Sequence, residues 1–86
     1  MKVKKGMNVI YVDTLGKDRP ALVTTIHGPA DKNPGINCVI VNDDDKQTDT
    51  YGNKIERATS VSHQSAQWAH GNYWYFVDEA KMPRTS

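Results

Sequence analysis

The stretch from Ser60 to Trp74, SVSHQSAQWAHGNYW, places two histidines, two tryptophans, two glutamines, a tyrosine and three serines in fifteen positions. Imidazoles can shuttle protons or ligate metal, indole and phenol rings offer flat faces for stacking, and amides supply short-reach hydrogen bonds. Three chemistries are therefore open to this stretch: metal binding, nucleophilic catalysis and ligand capture.

The spacing disfavours metal. His27, Cys38, His63 and His70 supply zinc-type donors, but His63 and His70 are seven apart with no C-x-x-C knuckle. Cys38, inside INCVIV, reads as a small buried hydrophobe. The acidic loop NDDDKQTDTYGN, tested as a calcium loop from Asp43, has Thr48 where glycine is required and Lys54 where a bidentate glutamate is required. No metal and no cofactor are expected.

Catalysis is disfavoured on geometric grounds. Ser62 neighbours His63 on a strand and so points to the opposite face, while Ser60 and Ser65 lack a nucleophile-elbow context. No catalytic residue is assigned, and a small nucleotide-cleaving enzyme using His63 or His70 stands only as an alternative.

Ligand capture fits the residue types best. Trp68, Tyr73, Trp74 and Tyr75 provide stacking faces, and Gln64, Gln67, Asn72, His63 and His70 surround them with polar groups, the combination a small-ligand pocket needs. Arg57 is the anion handle nearest the cluster. On a regular strand it shares a face with His63 about 20 Å away at ~3.3 Å per residue, so the two meet one ligand only if it is long or lies at a subunit interface. The ligand-binding set is His63, Gln64, Gln67, Trp68, His70, Tyr73 and Arg57, with His63 to His70 expected on an exposed loop.

The elements that must position these residues are strands. Apolar and β-branched runs are short and separated by turn chemistry, with almost no helix signal. MNVIYV, ALVTTIH, INCVIVN, KIERATSVSH and YWYFV read as five strands, and DTLGKDRP and GPADKNPG as turn and loop segments. Alternation puts Leu22, Thr24 and Ile26 opposite Ala21, Val23 and Thr25, and Ile55, Arg57, Thr59 and Val61 opposite Glu56, Ala58, Ser60 and Ser62. In the last strand Trp74 and Phe76 are assigned inward. The connections leave no room for crossover helices, so the expected fold is all-β: a five-stranded antiparallel meander curled into a small barrel. It spans residues 1–80, with a disordered tail at 81–86 and fraying from Asp78 onward.

The totals bound the partners. A chain of 86 residues has one core and buries only roughly 60% of its unfolded surface, and its lone cysteine cannot form an internal bridge, so a partner subunit is the expected source of extra stability. Eleven basic and ten acidic side chains give a net charge of +1, which supplies no field for nucleic acid or an anionic membrane. A single-stranded nucleic-acid site would need a basic groove beside its aromatics. The apolar run near the N-terminus is too short for a secretory signal, and nothing approaches the ~20 apolar residues of a membrane span. A soluble, cytoplasmic homo-oligomer is expected.

GMNVIYV followed by GKDRPALVTTIHG resembles the opening hairpin of SH3-like and Tudor-like barrels. YVDTLGKDRPALVTTIHG, TDTYGNKIERATSV and AHGNYW are similar to small proteins encoded by tailed bacteriophages and prophages. That resemblance implies a genomic setting, the host cytoplasm, and carries over no functional residue. Phages encode small oligomeric proteins that sequester cyclic-nucleotide or ADP-ribose-type immune signals, and the chain is similar to these in size and setting. The expected function is thus non-enzymatic capture of a small anionic or nucleotide-like ligand at a subunit junction. The alternative is a protein-interaction or virion-associated module with an SH3-like surface.

Overall fold

Asp13 starts the fold by closing its first turn. Its Oδ1 accepts the backbone N–H groups of Leu15 and Lys17 at 2.9 Å each, and its Oδ2 accepts Arg19 Nε at 2.8 Å. Gly16, at φ 79°, supplies the left-handed residue that the turn requires. This computed structural model describes residues 2–41, 55–66 and 72–81. Within them lie β1 (Asn8–Val12), β2 (Asp18–His27), β3 (Gly35–Val41), β4 (Ile55–Val61) and β5 (Tyr73–Phe76). They form one sheet in the order β4-β3-β2-β1-β5, and every neighbouring pair is antiparallel. The all-β fold is as the sequence predicts.

Pro20, read as a turn residue in the sequence, is instead inside β2, opposite Ile10. Among the described residues, 18–20 pair with β1 alone, since the β2–β3 ladder begins at Ala21 and Ile40. A residue without an N–H is tolerated where one side of the strand is unpaired.

Two bulges overturn the simple alternation. Between Val23 and Thr25 of β2 only one step is taken on β3, from Cys38 to Asn37, leaving Thr24 as the extra residue. On the other side of β3, Ile36 pairs with Val61 and Cys38 with Ala58, so β4 carries an extra residue around Ser60, whose φ is 53°. Each bulge exchanges the faces beyond it. Ala21 and Val23 therefore share the core face with Ile26, and Ala58 shares it with Val61, against the period-two expectation.

The main core is built from that face: Val9 and Tyr11 of β1, Ala21 and Val23 of β2, Ile36, Cys38 and Ile40 of β3, Val61 of β4, and Trp74 and Phe76 of β5, joined by Val3. Trp74 and Phe76 point inward as expected, and Trp74 Nε1 donates to the Pro34 carbonyl at 3.1 Å. The opposite face of β5 is covered as well. Tyr73 and Tyr75 pack with Val12 in a second cluster that Ile10 and Ala66 adjoin.

The expected barrel is not closed. β4 and β5 are the edges of the sheet, and a single parallel bridge between His63 and Trp74 links the segment after β4 to β5. The outer edge of β5 is nonetheless satisfied: Trp74 N donates to Ser62 O, Gln64 N to Trp74 O, and Phe76 N to Glu79 Oε1. Such capping removes the template for edge-to-edge pairing. Among the described residues no helix is long and apolar enough to cross a membrane.

Candidate functional site

His63 and Gln64 occupy the tight turn that leaves β4, and the structure corrects their expected exposure. They are only 2% and 1% exposed. The His63 ring lies edge-on to Trp74 at 4.8 Å between centroids and tilted against Phe76 at 6.0 Å. Its Nδ1 accepts the Ser65 N–H at 3.0 Å with Ser65 Oγ also 2.9 Å away, so the ring proton resides on Nε2 and is donated to Glu79 Oε1 at 2.8 Å. Gln64 Nε2 donates to the Ala80 carbonyl at 2.9 Å. The segment expected to fray after Asp78 is thus the lid over these two side chains. The apolar wall of Trp74 and Phe76 makes burial favourable, and Glu79 and Ala80 supply the partners that burial of polar groups requires.

Ser65, His63 and Glu79 have the composition of a hydrolytic triad. Their wiring differs from one: the lone pair on Nδ1 already accepts the backbone N–H of Ser65, so the imidazole has no free acceptor with which to take a hydroxyl proton. The three side chains instead tie the chain end to the β4–β5 connection.

Tyr73 and Tyr75 are 4% and 7% exposed, which withdraws their ring faces from a surface ligand. Tyr75 Oη donates to Asp18 Oδ2 at 3.0 Å and Lys81 Nζ donates to Asp18 Oδ1 at 2.8 Å. Burial first, then the bond to Asp18, pushes the Tyr75 hydroxyl pKa up, and the bond to Asp18 raises that of Lys81. Lys81, assigned to the tail, is accordingly fastened to β2. Gln67, Trp68 and His70 lie outside the described residues, as do the acidic loop at 42–54 and the tail at 82–86.

Among the described members of the expected set, Arg57 alone is at the surface. It stands on the sheet face opposite the main core, beside Val39, which in turn faces Leu22 of β2. The β4 bulge lies between Arg57 and His63, so they project to opposite faces and share no ligand, against the expectation of one face. Beside Arg57 a depression of about 250 Å³ is lined by Thr24, Asn37, Val39 and Thr59. The bulges create it. Thr24 is the extra residue on one side of Asn37 and the Thr59–Ser60 step lies on the other.

Asn37 holds this arrangement. Its Oδ1 accepts the Ser60 N–H at 3.0 Å and, at 2.8 Å, His27 Nε2, which must therefore carry the proton. The two Nδ2 hydrogens of Asn37 remain as donors. The Arg57 guanidinium makes no hydrogen bond or ion pair with a described residue, so among these it lacks the carboxylate partner usual for a lone surface arginine. Among the described residues no group of three His, Cys, Asp or Glu side chains is placed to hold a metal ion.

Sequence reasoning missed Thr24, Asn37 and Thr59. Their signal was faint: a polar pair, Thr24-Thr25, and a solitary Asn37 where an apolar alternation should have continued. Compared with known protein families, curated proteins and solved structures, the chain matches none.

Proposed function

We propose that this protein is a non-enzymatic binding module that captures a small anionic or nucleotide-like ligand at the Arg57 depression. The observation that carries the reading is an exposed guanidinium without a partner among the described residues, set beside hydroxyl and amide donors on an otherwise apolar sheet face. Arginine's planar fork matches carboxylate and phosphate oxygens, Thr24, Thr59 and Asn37 add shorter-reach donors, and Val39 gives an apolar wall for the rest of the ligand. In the phage setting that the sequence resembles, such a module serves to sequester a host signalling nucleotide.

Thermal shift and calorimetric titration against phosphate, dicarboxylates, cyclic nucleotides and ADP-ribose test it. Binding by at least one of these, weakened about tenfold or more by Arg57→Gln with the melting temperature of the free protein unchanged, is the expected result. No ligand in the panel, or equal affinity in the variant, overturns it.

A second reading, protein interaction through an SH3-like surface, is favoured by the same face. Leu22, Val41 and Ile55 are 42%, 50% and 48% exposed. Val41 and Ile55 are cross-strand partners, two residues along from the Val39 and Arg57 pair. A partner chain or second copy seated on these aliphatics would place Arg57 at a junction. Sedimentation across a concentration range, with Ile55→Ser as the control, separates a self-associating face from a monomeric one.

A further inference from the structure

A second groove, remote in sequence from Arg57, is built by the first residues of the chain. In KVKKGMN the middle residue of the first triplet, Val3, is 1% exposed and joins the main core, with its N–H donated to the Ala30 carbonyl at 3.1 Å. Lys2 and Lys4, on either side of the buried Val3, are both exposed. The chain then reverses. Gly6 adopts φ 81° and donates to Val23 O at 2.7 Å, while Met7 N donates to Lys4 O at 3.1 Å. The turn lays the two lysines along the end of β5.

There they border a groove of about 450 Å³ whose other walls include Met7, Phe76, Val77 and Asp78. The volume lies within the range of small-molecule sites. Val77 is 56% exposed, Met7 is half-buried, and the core residue Phe76 also borders the groove, so three of its lining residues are apolar. Neither lysine ammonium forms a hydrogen bond or ion pair with a described residue, and Asp78 pairs with neither of them. The groove carries two cations against one carboxylate, beside these three apolar residues.

We propose that this groove is a binding site for a monoanionic aromatic amphiphile, a ring system bearing one carboxylate. The ring lies on Met7, Phe76 and Val77, and the carboxylate sits between Lys2 and Lys4, whose flexible ammonium groups act as point charges without demanding bidentate geometry. Asp78 selects against ligands with a second negative charge. The site shares no residue with the Arg57 depression and stands or falls independently of it.

The test titrates naphthoate into the full chain and follows backbone and methyl NMR shifts, with naphthylmethanol as the neutral analogue and acetate as the headgroup alone. Saturable shifts should gather at Lys2 to Asn8 and at Val77 and Asp78. Naphthylmethanol and acetate should each bind at least about tenfold more weakly. The Lys2→Gln, Lys4→Gln double variant should lose about tenfold in affinity for naphthoate, Arg57→Gln should bind it unchanged, and added salt should weaken it. Shifts elsewhere on the molecule, equal affinity for the neutral analogue, or full affinity in the double variant overturns the proposal.

Discussion

His63 Nε2 and Glu79 Oε1, sixteen residues apart, are joined by a 2.8 Å hydrogen bond that fastens the chain after β5 to the exit of β4. The same Glu79 oxygen accepts the N–H of Phe76 at 3.1 Å. Removing the acceptor leaves two donors behind in part-buried surroundings, so Glu79→Ala should cost about 2–3 kcal/mol. Glu79→Gln keeps a carbonyl oxygen in place and should cost less than half of that. His63→Ala also empties the space against Trp74 and should cost about 3 kcal/mol or more. Urea unfolding ranks the three; a negligible loss for Glu79→Ala would mean that the bond contributes nothing of its own.

The Asp13 turn makes a prediction about acid. Burial acts to raise the Asp13 pKa, but the backbone N–H of Lys17, the Arg19 guanidinium and the N–H of Leu15 together outweigh it and hold the carboxyl below its ordinary value of 3.8. A carboxyl depressed in the folded state stabilises the protein fully above its unfolded pKa and stops doing so as pH falls through the folded one. Asp13→Ala should therefore be less stable than the wild type by about 1–2 kcal/mol at neutral pH. The gap should close as pH drops below 3.8, measured by unfolding at stepped pH. A gap that persists in acid would assign the loss to side-chain packing.

Cys38 makes the opposite prediction, for alkali. Burial in the core pushes its thiol from 9.0 up to about 11. The unfolded chain then ionises first, so the stability linked to this group is complete below pH 9.0 and declines as pH rises toward about 11. Comparison with Cys38→Ala isolates that decline from the titration of tyrosines and lysines. At pH 8 the folded protein should react with a thiol reagent only at the rate of its unfolding. Rapid stoichiometric labelling without denaturant would show that the thiol is accessible.

The β4 bulge offers a gain in stability. Ser60 is exposed and holds φ at 53°, where a side chain is strained and glycine is not. Ser60→Gly should leave stability unchanged or raise it by up to about 1 kcal/mol, the relief of strain being partly offset by the greater freedom of the unfolded chain. Asn37→Ala should lower it by about 1–2 kcal/mol, because the Ser60 N–H and His27 Nε2 lose their shared acceptor. Hydrogen exchange at the Ser60 amide reads the second effect directly, and unchanged protection there would remove Asn37 from its role.

Much of the fold was legible in short-range chemistry. The five strands, the Asp13 and Gly16 turn, and the inward direction of Trp74 and Phe76 follow from β-branched runs, turn residues and alternation. The candidate site was much less legible. Of the expected ligand residues, Arg57 is at the surface while His63, Gln64 and Tyr73 are buried. Residue type announces what His63 can do, but its burial depends on Glu79 and Trp74, partners set by the fold rather than by neighbours in the chain.

Pattern alone, then, determined the all-β class, because alternation and turn propensity act between residues a few positions apart. Tertiary structure decided which faces those patterns present. The bulges at Thr24 and Ser60 exchange the faces of β2 and β4, and nothing within either strand requires them; each exists only relative to the register of β3. The turn at Gly6 likewise brings Lys2 and Lys4 beside Phe76 and Val77, and Lys81 returns to Asp18. The stretch richest in chemical side chains became, in its described part, mainly core and fastening, while the exposed Arg57, Thr24 and Thr59 that border the depression came from strands that looked ordinary. Burial is a property of the assembled sheet, and a one-residue change of register is enough to reverse it.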